Sequence, residues 1–319
     1  MTRRLGRSNV EVGRYSLGTA ALGGLYTSVS DEGAADLVAA ALQAGIDYFD
    51  TAPQYGHGVS EQRLGRALAG VDRDSVTVST KVGRLVVDDP AGDTRWFADA
   101  PPSDVVFAFD RSSILRSIEE SLERLGCDRL DVVNIHDPDD YADQAIDESY
   151  PVLHELRRQG VIRAIGVGMN QSAIPTRFIT ETEIDLVLLA GRYTLLDQSS
   201  LADLIPAARS AGVSIIIGGV FNSGILANPD DSPHFNYLPA GDEIITRVHH
   251  LRDVCRDHDV ELMQAALAFP HREPSVTSVL LGARSRGELE QSLAIDANAV
   301  PDELWDALAQ EGLIHELDR

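Results

Sequence analysis

Lysine is almost absent from this chain. Of 27 basic residues, 26 are arginine and one, Lys81, is lysine, against 50 acidic residues, giving a formal charge of −23. That balance excludes a general nucleic-acid binder, because neutralising phosphates needs clustered cations. Cysteine is scarce too: Cys127 and Cys255 lie far apart without a C-x-x-C pattern, so neither a disulfide framework nor a zinc ribbon is expected. No apolar run approaches the ~20 residues of a membrane span, and the opening MTRRLGRSNVEVG has no apolar signal segment. The expectation is a soluble, cytoplasmic chain without membrane or nucleic-acid partners, and nothing in the sequence indicates an oligomeric state.

What is present in quantity is acid. The 32 Asp and 18 Glu are dispersed along the whole chain, which reads as a solvated surface and not as an interaction tail. Two origins compete. A halophilic chain from a salt-filled cytoplasm would use dense carboxylates to stay hydrated while screening quiets their repulsion. An acidic protein from a GC-rich genome would favour Arg over Lys without any salt. With 44% hydrophobic residues, the length suits a large core, read here as a single domain over 1–319.

Short apolar runs alternate with amphipathic stretches from about residue 15 to residue 295. The strand candidates are Ser16–Thr19, Ile46–Asp50, Val76–Lys81, Asp131–Ile135, Ile162–Val167, Leu186–Leu189, Val213–Ile217 and Val276–Leu281. Between and after them fall the helix candidates Asp31–Ala44, Ser60–Ala69, Arg111–Leu125, Ala145–Gln159, Ser172–Thr180, Ser199–Ala211, Asp242–His258 and Arg286–Ile295. Eight such units predict an α/β fold closed as a (β/α)8 TIM barrel. A doubly wound sheet would want G-x-G-x-x-G early, and the nearest approaches, at Gly56 and Gly166, lack the last glycine. Two connections are long, Arg84–Asp110 and Gly218–Gly241, and their aromatic content favours functional loops over disorder.

In barrels the reactive groups sit at the carboxyl ends of strands. Here those positions hold Asp50, Lys81 and His136, with Tyr55 five residues after Asp50. Singly, an Asp at a strand end is a turn residue, a loop Tyr is packing, and a lone His is structural. Lys81 differs, because the chain uses Arg wherever else a cation is wanted, and Arg cannot be deprotonated or easily share a buried site. Together the four make a proton-transfer device: a phenol that ionises near pH ~10 is brought down by a neighbouring ammonium. A carboxylate holds that ammonium, and an imidazole orients a carbonyl or hydroxyl oxygen.

The segments FDTAPQYGHGVSEQRLGRAL (49–68), VSTKVGR (78–84), LDVVNIHDPD (130–139) and AIGVGMN (164–170) resemble those of the aldo-keto reductase superfamily, over essentially the whole chain. The resemblance implies a (β/α)8 barrel, a nicotinamide cofactor held without a Rossmann domain, and no metal. It makes Tyr55 the general acid or base, Lys81 and Asp50 its tuners, and His136 the orienting residue. The cofactor is then expected toward strands seven and eight, at Asn170, Gly219, Phe221, Asn222, Gly224, Gly282, Arg284 and Glu288. The last three lie in LGARSRGE, similar to the family's adenosine-end motif, at a helix start whose free N–H groups favour anions. Arg284 suits a 2′-phosphate and Glu288 suits ribose hydroxyls, so NAD is favoured over NADP.

The chain departs from the familiar pattern at Ala190, where the family has Gln, at Gly218 or Gly219, where many members stack an aromatic on the nicotinamide, and at the shifted Asn170. With IHDPD, GVGMN, LLAGRYTLLDQ and FNSGIL, these departures resemble the aldose 1-dehydrogenase branch, with L-fucose, D-arabinose and L-galactose dehydrogenases and pyridoxal 4-dehydrogenases. The implied reaction is NAD(P)-dependent oxidation of the hemiacetal carbon of an L-fucose or D-threo-aldose type sugar to a lactone. Alternatives are a pyridoxal 4-dehydrogenase or a general aldehyde reductase. Trp96, Asp137 and Arg192 are candidates for gripping a small sugar or aldehyde, by one apolar platform and polar partners. Two rivals stand apart: a metal hydrolase built on His136-Asp137-Pro-Asp139-Asp140, which lacks a second histidine at ligand spacing, and a non-catalytic nicotinamide-sensing subunit. The salt reading of the acidic surface is checked by chemical unfolding against salt. Stability that climbs with added salt supports it, and full stability in dilute buffer removes it.

Overall fold

In a computed structural model, which describes residues 2–231, 233–296 and 298–315, eight parallel strands close into a barrel. They are β1 (Tyr15–Gly18), β2 (Tyr48–Asp50), β3 (Thr77–Val82), β4 (Val132–His136), β5 (Ala164–Met169), β6 (Leu186–Ala190), β7 (Ser214–Gly218) and β8 (Val276–Gly282). Each pairs with the next in the chain, and β8 closes on β1 through Leu280 opposite Ser16 and Leu281 opposite Leu17. The helices are α1 (Asp31–Gln43), α2 (Val59–Leu68), α3 (Arg111–Leu125), α4 (Tyr150–Arg158), α5 (Ala173–Glu181), α6 (Leu204–Ala211), α7 (Asp242–Asp257), α8 (Leu262–Ala268), α9 (Arg286–Asp296) and α10 (Asp302–Gln310).

The strands read as continuous apolar runs because both of their faces are covered. Alternate residues divide between two cores. Phe49, Val78, Val133, Ile165, Val187 and Ile215 face the helices, whereas Tyr48, Val132, Ala164, Leu186, Ile216 and Leu280 fill the barrel. Leu5, Val10 and Val12 join that inner core. They come from a small hairpin, Arg3–Arg4 paired with Glu11–Val12, that plugs the floor of the barrel opposite the strands' carboxyl ends. Periodicity could not reveal this role, since two-residue strands carry no period.

Other departures from the expected elements have local causes. The helix expected over Ala145–Gln159 opens with a wide π turn at Ala145–Ser149, two residues ahead of Pro151, which has no N–H to continue the ordinary ladder. The one expected over Ser199–Ala211 breaks at Asp203, whose carboxylate caps α6 by accepting from the Leu204 N–H. Helices α8 and α10 were not anticipated; the buried faces of LMQAALA leave little apolar–polar contrast to read. Both long connections fold back over the barrel mouth. Arg84–Asp88 pairs antiparallel with Ser103–Phe107, and His234–Phe235 pairs with Leu238–Pro239. Among the described residues no helix is long and apolar enough to cross a membrane.

The start of α3 is fixed by Asp110, which accepts from the N–H groups of Ser112 and Ser113 and from both hydroxyls. Those donors, the Ser112 hydroxyl first, pull the Asp110 carboxyl down to about 2. Asp110→Ala is expected to cost about 1 kcal/mol at neutral pH. Because the folded value is depressed, the stabilisation is complete above the ordinary Asp range and is lost as pH falls through about 2. Thermal melting of both forms at pH 7 and at low pH checks this, the difference closing in acid.

Candidate active site

Sheet register carries three of the four expected residues to one end of the barrel. Asp50 ends β2 opposite Ser79 of β3, Lys81 of β3 lies opposite Asn134 of β4, and His136 ends β4 opposite Gly168 of β5. Lys81 and Asp50 are each 1% exposed. The Lys81 Nζ donates to Asp50 Oδ2 at 2.5 Å and to the Thr51 carbonyl at 2.8 Å, while Ser79 Oγ donates to Asp50 Oδ1 at 2.9 Å. The Asp50 backbone is held in turn, its carbonyl accepting from the Thr19 hydroxyl at 2.9 Å. Gly168 lies alongside the lysine stem, and a Cβ there would stand in ordinary contact with Lys81 Cε at 3.5 Å.

Tyr55 arrives on the loop after β2. Its backbone can press against the β1 loop because Gly23 and Gly56 meet there; a Cβ on Gly56 would stand 2.4 Å from the Gly23 carbonyl oxygen. The Lys81 ammonium lies 4.7 Å from the centre of the Tyr55 ring, and the His136 ring stands edge-on to the same phenol at 6.0 Å. Phe97, from the first long connection, lies tilted against the same ring at 6.2 Å. All four expected residues therefore converge.

The electrostatics correct one part of the expectation. Burial pushes the Tyr55 phenol above its ordinary value, and the Lys81 ammonium lowers it without reversing the sign. Burial by itself would neutralise Lys81, but the Asp50 carboxylate and the Tyr55 phenol outweigh it and keep the amine charged. His136 is driven well below the usual imidazole range by burial, then by the Arg84 and Lys81 charges, so it is neutral at neutral pH. A neutral imidazole has one N–H to give, and its Nδ1 has no hydrogen-bond partner within the protein.

The remaining candidates divide. Gly219, at φ +61°, and Gly282, with open space where a Cβ would stand, give bare backbone edges at the ends of β7 and β8. Gly224 follows in a turn at φ +98°, and Phe221 packs partly into the core. The Asn222 amide is spent internally, accepting from Thr194 Oγ1 at 2.5 Å and donating to the Gly191 carbonyl at 3.1 Å. Asn170 is exposed at the end of β5. At the start of α9 the Glu288 carboxylate accepts from the Arg284 N–H at 2.8 Å and clasps its guanidinium at 2.8 and 3.0 Å. The helix-start donors are thus partly satisfied by the chain's own acid. Bare glycine edges with one guanidinium and one carboxylate fit a dinucleotide lying along β7 and β8.

Asp137, at φ +41°, is drawn to Arg84 at 2.7 Å, and Arg84 also donates to Gln54 at 2.8 Å. This ties the first long connection to the catalytic loop. Arg192 is engaged on all sides, donating to the Asn170 carbonyl, Asp197 and Asn236 at 2.7, 2.9 and 2.9 Å. Trp96 is 45% exposed and stands edge-on to Tyr26, which is itself at φ +64°. Tyr26 was missed, as was Tyr237, at φ +65° on the tip of the second hairpin, where its N–H donates to Ser223 Oγ. A non-glycine residue in that region costs about 1 kcal/mol or more and concentrates at ligand sites, but nothing in the letters Asn236-Tyr237 announces it. Among the described residues, no group of three or more His, Cys, Asp or Glu stands where it could hold a metal ion.

A closed parallel barrel with a buried carboxylate–ammonium pair beneath a phenol, and a neutral imidazole beside it, defines an enzyme built to move a proton at a substrate oxygen. The chain belongs to the Aldo/keto reductase family, whose sequence model matches residues 14–310. It is 39% identical to a pyridoxal 4-dehydrogenase of Microbacterium luteolum, over 98% of this chain and 97% of that one. It is also 39% identical to a D-threo-aldose 1-dehydrogenase of a Pseudomonas species, over 93% of each. Among solved structures, a glycerol dehydrogenase of Gluconobacter oxydans superimposes with a TM-score of 0.79 at 26% identity, covering 97% of this chain and 94% of that one.

Lys81→Arg keeps the charge but places a planar fork where a compact ammonium meets Asp50 and Thr51. Turnover is expected to fall about 10²–10⁴-fold with the fold intact by circular dichroism. An active variant would remove the lysine from the chemistry.

Proposed function

We propose that this enzyme is an aldose 1-dehydrogenase, oxidising the hemiacetal carbon of a small cyclic sugar, of the L-fucose or D-threo-aldose type, to its lactone. The observation that carries the reading is the Asp50–Lys81 pair buried beneath the Tyr55 ring with His136 edge-on to it. The substrate class is supported by the identity to a D-threo-aldose 1-dehydrogenase along nearly the full length of both chains.

Tyr55, as phenolate, takes the proton of the anomeric hydroxyl. Lys81 stabilises the negative phenolate oxygen, and Asp50 holds Lys81 in place and charged. His136 gives its single N–H to the same substrate oxygen, fixing the sugar without adding a charge. As the O–H proton passes to Tyr55, the C–H electron pair leaves the carbon as hydride and the carbonyl forms. Gly219 and Gly282 would hold a nicotinamide dinucleotide, which would supply the hydride acceptor. The exposed rings of Trp96, Tyr26 and Tyr237 offer apolar platforms for a sugar ring at the rim.

NAD is the favoured dinucleotide, because a 2′-phosphate would have to displace Glu288 from Arg284 and then sit beside that carboxylate. Glu288→Gln should therefore improve the use of NADP more than that of NAD.

The test is a screen of aldoses and pyridoxal with NAD and NADP, following reduced nicotinamide, beside Tyr55→Phe. Oxidation should rise about tenfold per pH unit through the neutral range, since Tyr55 must be deprotonated and burial holds it above the ordinary phenol value. His136, already neutral, should add no limb between about pH 6 and 8. Turnover of pyridoxal but of no aldose would move the substrate assignment, and no turnover of any hemiacetal would overturn the dehydrogenase reading. Retained activity in Tyr55→Phe would overturn Tyr55 as the proton carrier.

A further inference from the structure

Below the proton-transfer residues, a line of buried hydrogen bonds runs across three strands. Asn134 Nδ2 donates to Ser79 Oγ at 3.0 Å, and Ser79 Oγ donates to Asp50 Oδ1 at 2.9 Å. Asp50 Oδ2 then accepts from Lys81 at 2.5 Å. Asn134 and Ser79 are wholly buried, and neither drew attention in the sequence.

The chemistry of the line fixes its direction. An ionised carboxylate can only accept, so the one proton of the Ser79 hydroxyl must point to Asp50. The atom of Asn134 that faces Ser79 must then be a donor, its NH₂. The carboxamide oxygen is left buried with no partner, turned toward Gly166, where a Cβ would come within 2.1 Å of it. A buried amide that leaves its oxygen unsatisfied gives up about 1–3 kcal/mol. Such a group persists where the orientation it enforces is needed. The missing side chain at Gly166 is what admits it.

We propose that Asn134 is a positioning residue for the reaction. Acting through Ser79, it locks the Asp50 carboxylate in the orientation that meets Lys81, and so sets the proton affinity at which Tyr55 works. The inference rests on the reading of Tyr55 as the proton carrier. Around Asp50 the other titratable groups are Lys81 from β3, Tyr48 from its own strand and Tyr55 from the following loop. Around Tyr55 they are Lys81, Asp50, His136 from β4 and Tyr237 from the hairpin. Of these, Ser79 reaches Asp50 and Tyr48, and burial holds the Tyr48 phenol far above its ordinary value, so at working pH the charge that the Asn134–Ser79 line acts on is that of Asp50. With Ser79 aligned, the Asp50 charge is shared between two donors. Without it, that charge falls on Lys81 alone, and the ammonium has less to give the phenolate.

The experiment compares Asn134→Leu, Ser79→Ala and the double variant with the parent, measuring the pH dependence of kcat/KM for oxidation. Asn134→Ala is carried in parallel, so that a packing failure of the leucine still leaves a readable protein. In Ser79→Ala the ascending limb should move up by about 0.5–1 pH unit, with kcat lowered and KM for the sugar unchanged. The Asn134 variants should move it the same way by less, and the double variant should match Ser79→Ala, because Asn134 acts only through the serine. A parent-like profile in the Asn134 variants, or effects that add, would overturn the proposal. Ultraviolet titration of Tyr55, taken as the difference between each form and its Tyr55→Phe counterpart, reads the same shift without substrate. A wrong substrate assignment would therefore leave this outcome legible.

Discussion

Burying Lys81 against Asp50 is the constraint to which the neighbouring strands answer, because leaving either charge unpaired at that depth would cost about 3–5 kcal/mol. The pair is tolerated only because its remaining valences are used: Thr51 and Ser79 supply an acceptor and a donor. The acceptor comes from the loop after β2 and the donor from β3. The mouth of the barrel is therefore shaped by one ion pair, and the loops have been fitted around it.

Those loops are fastened by arginine as well as by apolar packing. Arg84 joins the first hairpin to Asp137 and Gln54, and Arg192 joins the second to the ends of β5 and β6. Arg63 fastens the β1 loop and the first long connection by bonding the Leu22 carbonyl and Asp99. A guanidinium suits this work because its fork reaches several acceptors at once. The same forked geometry makes it a poor neighbour for a phenol that must gain and lose a proton. Arginine does the fastening and the lone lysine stands at the chemistry.

How much of this was legible follows from what kind of signal each feature leaves. The eight strands were readable because burial on both faces produces apolar runs between turn residues, and the four converging side chains were readable because strand ends define one rim. The plug of the barrel floor was not, since its strands are two residues long. Ser79 and Asn134 were invisible for another reason: a polar residue inside an apolar strand looks like noise until its neighbours across the sheet are known. Tyr26 and Tyr237 stand out only by backbone angles that letters do not encode. Net burial likewise decides the sign at Tyr55, where sequence logic saw the ammonium and not the surrounding loss of water.

The near-absence of lysine has a consequence beyond catalysis. Aldehydes and reducing sugars condense with amines to form Schiff bases, and an enzyme bathed in them accumulates such adducts on its exposed lysines. Here the sole lysine is 1% exposed and already committed to Asp50, and the arginines that replace lysine on the outside do not form imines. With its one lysine buried, the molecule presents no surface lysine on which a Schiff base with a sugar or aldehyde could form.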